Sequence, residues 1–162
     1  MITQARLREV IHYNPETGEF TWRPPSRGRA WRGVLAGRPD KATGYGRIMI
    51  DARRYKAHQL AWLYMTGEWS IGIDHKNLDP GDNRWSNLRE ASHSQNCANK
   101  RVRTDSRSGI KGVKQDSRTG RWRADICVRG KSFCLGHRAT QEEAAALYAE
   151  AARHHFGEFS RG

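Results

Sequence analysis

The sequence predicts an α+β chain of two modules, and three observations carry that expectation. From about residue 72 to 99, a short alternating stretch, a polar loop, a second short stretch and a helical run follow in a strand–loop–strand–helix order. Beyond residue 108, three alternating segments with glycine-bearing turns lead into one Ala-rich helical run, the pattern of a three-stranded antiparallel sheet packed on one helix. Between them, "NKRVRTDSRSG" (99–109) is basic and poor in apolar residues, as linkers are. The expected organisation is a first module over 1–98, a basic linker over 99–107 and a second module over 108–162.

Each element follows from local chemistry. Ile2, Leu7, Val10 and Ile11 line one face of a short helix begun at Thr3. "YNPETGEFTW" (13–22) reads as a hairpin turned at Pro15 and Gly18, with Phe20 and Trp22 inward. Residues 24–43 show no period and read mainly as loop; their four arginines are candidates for phosphate contact or for a solvated surface. "GYGRIMIDARRYKAHQLAWLYMTG" gives two short strands around Asp51–Arg54, then a helix from Ala57 to Thr66 that Gly67 stops. "GIDH" ends a strand in which Ile71 and Ile73 alternate, "NLRE" forms the next, and a helix begins near Ser92.

Composition points to the partner. The 29 Lys+Arg exceed the 17 Asp+Glu, giving a net charge of +12 and a pI near 10.3. Residues 1–100 carry 16 basic and 10 acidic groups and residues 101–162 carry 13 and 7, so each part nets +6. An excess spread this evenly suits a polyanion, whose phosphates release condensed counterions when neutralised. Six Trp, five Tyr and four Phe argue against global disorder despite a mean hydropathy of −0.89. No long apolar run suggests a membrane partner, and "MITQARLREVIHY" lacks the apolar core of a signal peptide, so a cytoplasmic protein is expected. Cys97, Cys127 and Cys134 form neither a disulfide framework nor a C-x-x-C zinc site.

The window "GIDHKNLDPGDNRWSNLREASHSQNCANK" (72–100) concentrates Asp74, His75, Asn87, His93, Asn96 and Asn99. A strand–loop–strand–helix of this size can set Asp74 and His75 opposite the first helical turns, where Asn96 stands; His93, three residues earlier, shares that helix face and is the rival. A carboxylate and an amide oxygen are hard ligands suited to Mg²⁺ or Mn²⁺. A neutral imidazole beside such an ion takes a proton from attacking water near neutral pH. Phosphodiester hydrolysis is the chemistry this set suits, with no small-molecule substrate implied. His58, on the preceding helix, reads as a hydrogen-bonded packing residue, with a place in the site as the alternative.

The order D-H, N-L-R, N-x-x-N, with "YKAHQLAWLYMTGEW" upstream, resembles the HNH endonucleases of phage and intron homing systems, whose fold is the ββα-metal (His-Me finger) motif. The resemblance implies Asp74 as a metal ligand, His75 as general base, Asn87 as the residue that pins the loop and positions His75, and Asn96 as the second ligand. Asn replaces the third-position His, as in one branch of that family, and the four-cysteine zinc site of some members is missing.

In the C-terminal module, Trp122, Ala124, Ile126 and Val128 alternate with Arg123, Asp125, Cys127 and Arg129, which gives one apolar sheet face and one polar, largely basic face. Thr140 and Glu143 form a capping box for a helix that Gly157 ends, and its alanines allow close approach to the apolar face. A twisted three-stranded sheet with a basic free face can enter the major groove. Residues 108–160 resemble the APETALA2-type DNA-binding domain in the form fused to phage homing nucleases: a G-V on the first strand, W-x-A-x-I on the second, L-G on the third and an E-E-A-A helix. That resemblance implies DNA contacts from Lys111, Lys114, Arg118, Arg121, Arg123 and Arg129, while the linker's Lys100, Arg101 and Arg103 suit the phosphate backbone. The departures at Asp116, Cys127 and Cys134 remove the plant target sequence. The expectation is a metal-dependent endonuclease on double-stranded DNA; a DNA-binding regulator with an inactive nuclease scaffold is the alternative.

Overall fold

The computed structural model describes residues 1–23, 34–70, 72–102 and 104–160. Among these, four helices and four small antiparallel sheets form two compact units, Met1–Glu90 and Ala91–Gly162.

In the first unit, Thr3 caps α1 (Gln4–Val10) by accepting from the Arg6 N–H. The helix ends one residue earlier than its apolar spacing suggests, because Ile11 opens β1 (Ile11–Tyr13) and is buried there, paired with β2 (Phe20–Trp22). A two-residue strand that the loop-like sequence hides, β3 (Arg38–Pro39), adds to β4 (Gly46–Ile50) and β5 (Arg53–Lys56) in a sheet ordered β3-β4-β5. Arg27, Arg29, Arg32 and Ile71 lie outside the described residues. α2 (Ala57–Thr66) follows β5 directly and stops at Gly67, whose φ of 83° gives the left-handed C-cap. Leu7, Ile11, Ile48, Leu60 and Leu63 form the centre of this unit's core. β6 (Ile73–His75) pairs with β7 (Leu88–Glu90), setting Asp74 opposite Arg89 and His75 opposite Leu88.

The second unit begins with α3 (His93–Asn99), where Ser92 and Gln95 make a capping box. Sequence reasoning groups this helix with residues 1–98. Its buried Ala98, with Ala91 before it, joins the other core instead, and the helix packs on α4 (Gln141–Phe156) and the 3-10 turn at 157–159. β8 (Val113–Gln115), β9 (Trp122–Val128) and β10 (Lys131–Arg138) form a sheet with β9 central. Ala124 and Ile126 are buried against Ala144, Tyr148 and Ala152 of α4, so the expected apolar face and close helix approach are present. Gly112 is required here: its φ is 69°, and a Cβ would lie 2.3 Å from the Tyr148 ring.

Candidate active site

The β6–β7 ribbon carries Asp74 and His75 side by side, so the pleat sends their side chains to opposite faces. Both are nonetheless 5 % exposed. Asp74 is held by Arg89, whose Nε and Nη2 lie 2.9 Å from Oδ2 and whose side chain is 10 % exposed. Cross-strand pairing places this cation beside the carboxylate, so the buried charge is compensated.

The loop between the strands is shaped by Asn87. Its Oδ1 accepts from the Asn77 N–H at 3.0 Å, and its Nδ2 donates to Asn77 Oδ1 and to the Asp82 carbonyl at 2.7 Å. Arg84 hydrogen bonds lower the Asp82 carboxyl to about 2, keeping it ionised as an anchor for Asn77 Nδ2.

A residue that the sequence presents only as part of a turn contacts the imidazole directly. His75 Nε2 lies 3.2 Å from Asn83 Oδ1. The Asn83 amide is oriented because its Nδ2 donates to the Gly81 carbonyl at 3.1 Å, so Oδ1 faces the ring. An oxygen there only accepts, so Nε2 carries the hydrogen and the lone pair is on Nδ1. Asn87 therefore acts on His75 through the loop, and Asn83 acts by contact. Asn83 is in turn fixed from the N-terminal hairpin: Tyr13 Oη donates to its carbonyl at 2.7 Å, and a Cβ on Gly18, at φ 76°, would lie 2.5 Å from its carbonyl carbon.

His75 packs between rings. The His58 ring is edge-on at 5.1 Å between centroids, and Tyr45 stands 5.9 Å away. Burial lowers the His75 pKa below the usual imidazole value, against the opposing Asn83 hydrogen bond. His58 corrects the sequence expectation of a hydrogen-bonded packing residue: it is 6 % exposed, and its Nδ1 has no hydrogen-bond partner among the described residues. Burial, then the neighbouring His75, lowers its pKa to about 3, so it is neutral.

Asn96 and His93 belong to α3 in the second unit. Asn96 is half-buried; His93 is exposed, with Nε2 3.6 Å from Cys97 Sγ. Among the expected DNA-contacting residues, Arg118, Arg121, Arg129, Lys100 and Arg101 are exposed, and Arg103 lies outside the described residues. Lys114 and Arg123 share the outer sheet face but both pair with Asp125, at 2.8 and 2.7 Å, so that face is less basic than alternation alone implies. The Lys111 ammonium donates to the Ala98 and Lys100 carbonyls at the end of α3.

A buried carboxylate lies beside a buried imidazole that meets an amide oxygen, on a ribbon closed by an Asn-pinned loop. Residues 55–98 match the HNH endonuclease family. The matched segment runs from β5 through α3 and contains Asp74, His75, Asn83, Asn87 and Asn96. The HNH match supports a nuclease, a hydrolase with DNA as substrate, of a family that typically uses a divalent metal. No curated protein matches the chain. No helix among the described residues is long and apolar enough to cross a membrane.

The donor chemistry fits a hard divalent ion. Asp74 is a buried carboxylate, an oxygen donor of the kind such ions take, while no group of three or more His, Cys, Asp or Glu gathers among the described residues.

Proposed function

We propose that the protein is a metal-dependent endonuclease of the homing type that hydrolyses phosphodiester bonds in double-stranded DNA. His75 is the general base. Asp74 and, on the motif pattern, Asn96 hold Mg²⁺ or Mn²⁺. The observation that carries the reading is the His75–Asn83 contact, because an amide oxygen at Nε2 favours the tautomer whose lone pair is on Nδ1. Nδ1 of His75 removes a proton from water as its oxygen bonds to phosphorus; the P–O bond to the leaving oxygen then breaks, and that oxygen is protonated. A bound divalent ion supplies charge neutralisation at the phosphate and the leaving oxygen. Burial favours this role: the lowered pKa keeps the imidazole neutral, hence basic, across neutral pH. The C-terminal sheet supplies sequence-biased binding through Arg118, Arg121, Arg123 and Arg129.

One observation favours the second reading, a DNA-binding regulator on an inactive scaffold: Arg89 already neutralises Asp74. Supercoiled plasmid incubated with Mg²⁺, Mn²⁺ or EDTA separates the two. The wild type is expected to give nicked or linear product with metal and none with EDTA. His75→Ala is expected to lose cleavage by about 10³-fold or more while still shifting DNA in a gel. Metal-independent product, or full activity in His75→Ala, overturns the assignment.

A further inference from the structure

The outer face of the β3-β4-β5 sheet is used by none of the chemistry above. Ile48 and Ile50 turn inward at 1 % and 3 % exposure, so Arg47 and Met49 of β4 turn outward. Register then fixes their neighbours. Arg38 stands opposite Arg47, Arg47 opposite Lys56, and Met49 opposite Arg54. Three cations thus lie in one row across three adjacent strands, about 4.8 Å apart. Like charges directly opposed destabilise a sheet. On this face Asp40 offsets Arg47 alone, at 3.0 Å, while the side chains of Arg38 and Arg54 make no hydrogen bond or ion pair among the described residues.

The face is apolar as well as basic. Met49 is 60 % exposed, and it lines a cleft with Leu35 and Trp22 in which five arginines, Arg38 and Arg54 among them, outnumber the carboxylates of Glu9 and Asp40. It is also continuous with the catalytic imidazole. Lys56 Nζ sits 5.3 Å over the Tyr45 ring, and that ring stands 5.9 Å from the His75 ring. Arg54 is two residues along β5 from Lys56, about 7 Å. A duplex whose phosphate reaches His75 therefore meets this row of cations next.

We propose that the outer face of β3-β4-β5 is a docking surface for duplex DNA within the nuclease unit. Arg38, Arg54 and Lys56 neutralise phosphates flanking the cut, and Met49 packs against the groove wall. This rests on the nuclease reading and adds to it: the first unit grips its own substrate, independently of the C-terminal sheet. Charge complementarity and continuity with His75 favour DNA over an acidic protein, whose binding has no reason to start at a catalytic base.

The test is the double variant Arg38→Gln/Arg54→Gln in the full chain. Neither side chain has a partner among the described residues, so the thermal midpoint should match wild type. Fluorescence anisotropy with a labelled duplex, in EDTA over a NaCl series, reads affinity and salt slope. The expected result is Kd weakened by about tenfold and a log K against log[salt] slope shallower by about 2, because two phosphate contacts are lost. An unchanged slope and Kd overturn the docking surface. An unchanged slope combined with weaker binding of poly-glutamate overturns it too and reassigns the face to an acidic protein. Wild-type plasmid nicking is scored beside this. Nicking with an unchanged variant slope sinks the docking surface alone, whereas a shallower slope without wild-type nicking sinks the nuclease reading alone.

Discussion

His58→Leu isolates the cost of burying an imidazole with an unpaired nitrogen. In the folded chain its pKa is about 3 against an ordinary 6.5. The unfolded chain therefore binds a proton between those values that the folded chain does not. The stability His58 allows is complete above about pH 6.5 and falls as pH drops through 6.5 toward 3. At pH 5 the linkage penalty relative to pH 8 is about 2 kcal/mol. Leucine has no such proton. It loses the ring edges against His75 and Tyr45, about 1 kcal/mol, but also removes the unpartnered Nδ1, whose desolvation costs about 1–3 kcal/mol. At pH 8 the variant should therefore lie within about 1–2 kcal/mol of wild type. Urea unfolding followed by tryptophan fluorescence is weighted toward this unit, since Trp22, Trp62, Trp69 and Trp85 pack on its core and Trp122 on the other. Between pH 8 and pH 5 the wild type should lose about 2 kcal/mol more than the variant. Parallel losses in the two proteins would refute the buried, neutral assignment.

Three further substitutions have defined outcomes, two at Asn83 and one at Gly112 in the second unit. Asn83→Ala leaves the His75 Nε2–H without its acceptor and frees the tautomer, so kcat/KM for plasmid nicking should fall about 10- to 100-fold. Asn83→Asp keeps an acceptor and adds charge, so it should recover much of that rate while moving the rising limb of the pH–rate profile upward from the wild-type limb, itself below 6.5; identical limbs in the two proteins would contradict the contact. Gly112→Ala should cost the second unit more than about 3 kcal/mol, because it adds a strained positive φ to a clash with Tyr148, and circular dichroism on heating would detect it.

What was legible in the sequence was what short-range chemistry decides. Thr3, Gly67 and Thr140 act as caps because each bonds within its own turn or adopts the conformation its neighbours require. The period-2 run at 122–128 and the helix at 57–66 were readable for the same reason. Asn83 was not, because its orientation depends on Tyr13, 70 residues away, and on the turn at Gly18. Nor was the moderation of the C-terminal sheet, since alternation assigns Asp125 to the basic face without showing that it engages Lys114 and Arg123 together. Lys111 misleads likewise: a lysine beside a strand looks available until the carbonyls ending α3 are placed around its ammonium.

These long-range contacts change what counts as the catalytic element. The matched segment, 55–98, contains the residues that would react, and its internal bonds from Asn87 set the shape of the loop. Shape alone does not fix where Asn83 presents its oxygen. The Gly81 carbonyl turns its amide, and the N-terminal hairpin holds its backbone from outside the segment, through three independent contacts: Tyr13 Oη on the Asn83 carbonyl, the Trp85 N–H on the Pro15 carbonyl at 2.9 Å, and the Cβ-free surface of Gly18 against the Asn83–Arg84 peptide. Each ties the loop to β1, β2 or the turn between them, and β1 is anchored by Ile11 and Tyr13 at 0 % and 1 % exposure. The position from which Asn83 meets His75 is thus held by a chain of contacts from the hydrophobic core through the hairpin. A substitution at Gly18 would then reach the chemistry without touching any residue of the motif, since displacing the loop by even 1 Å would carry the 3.2 Å contact beyond hydrogen-bonding range.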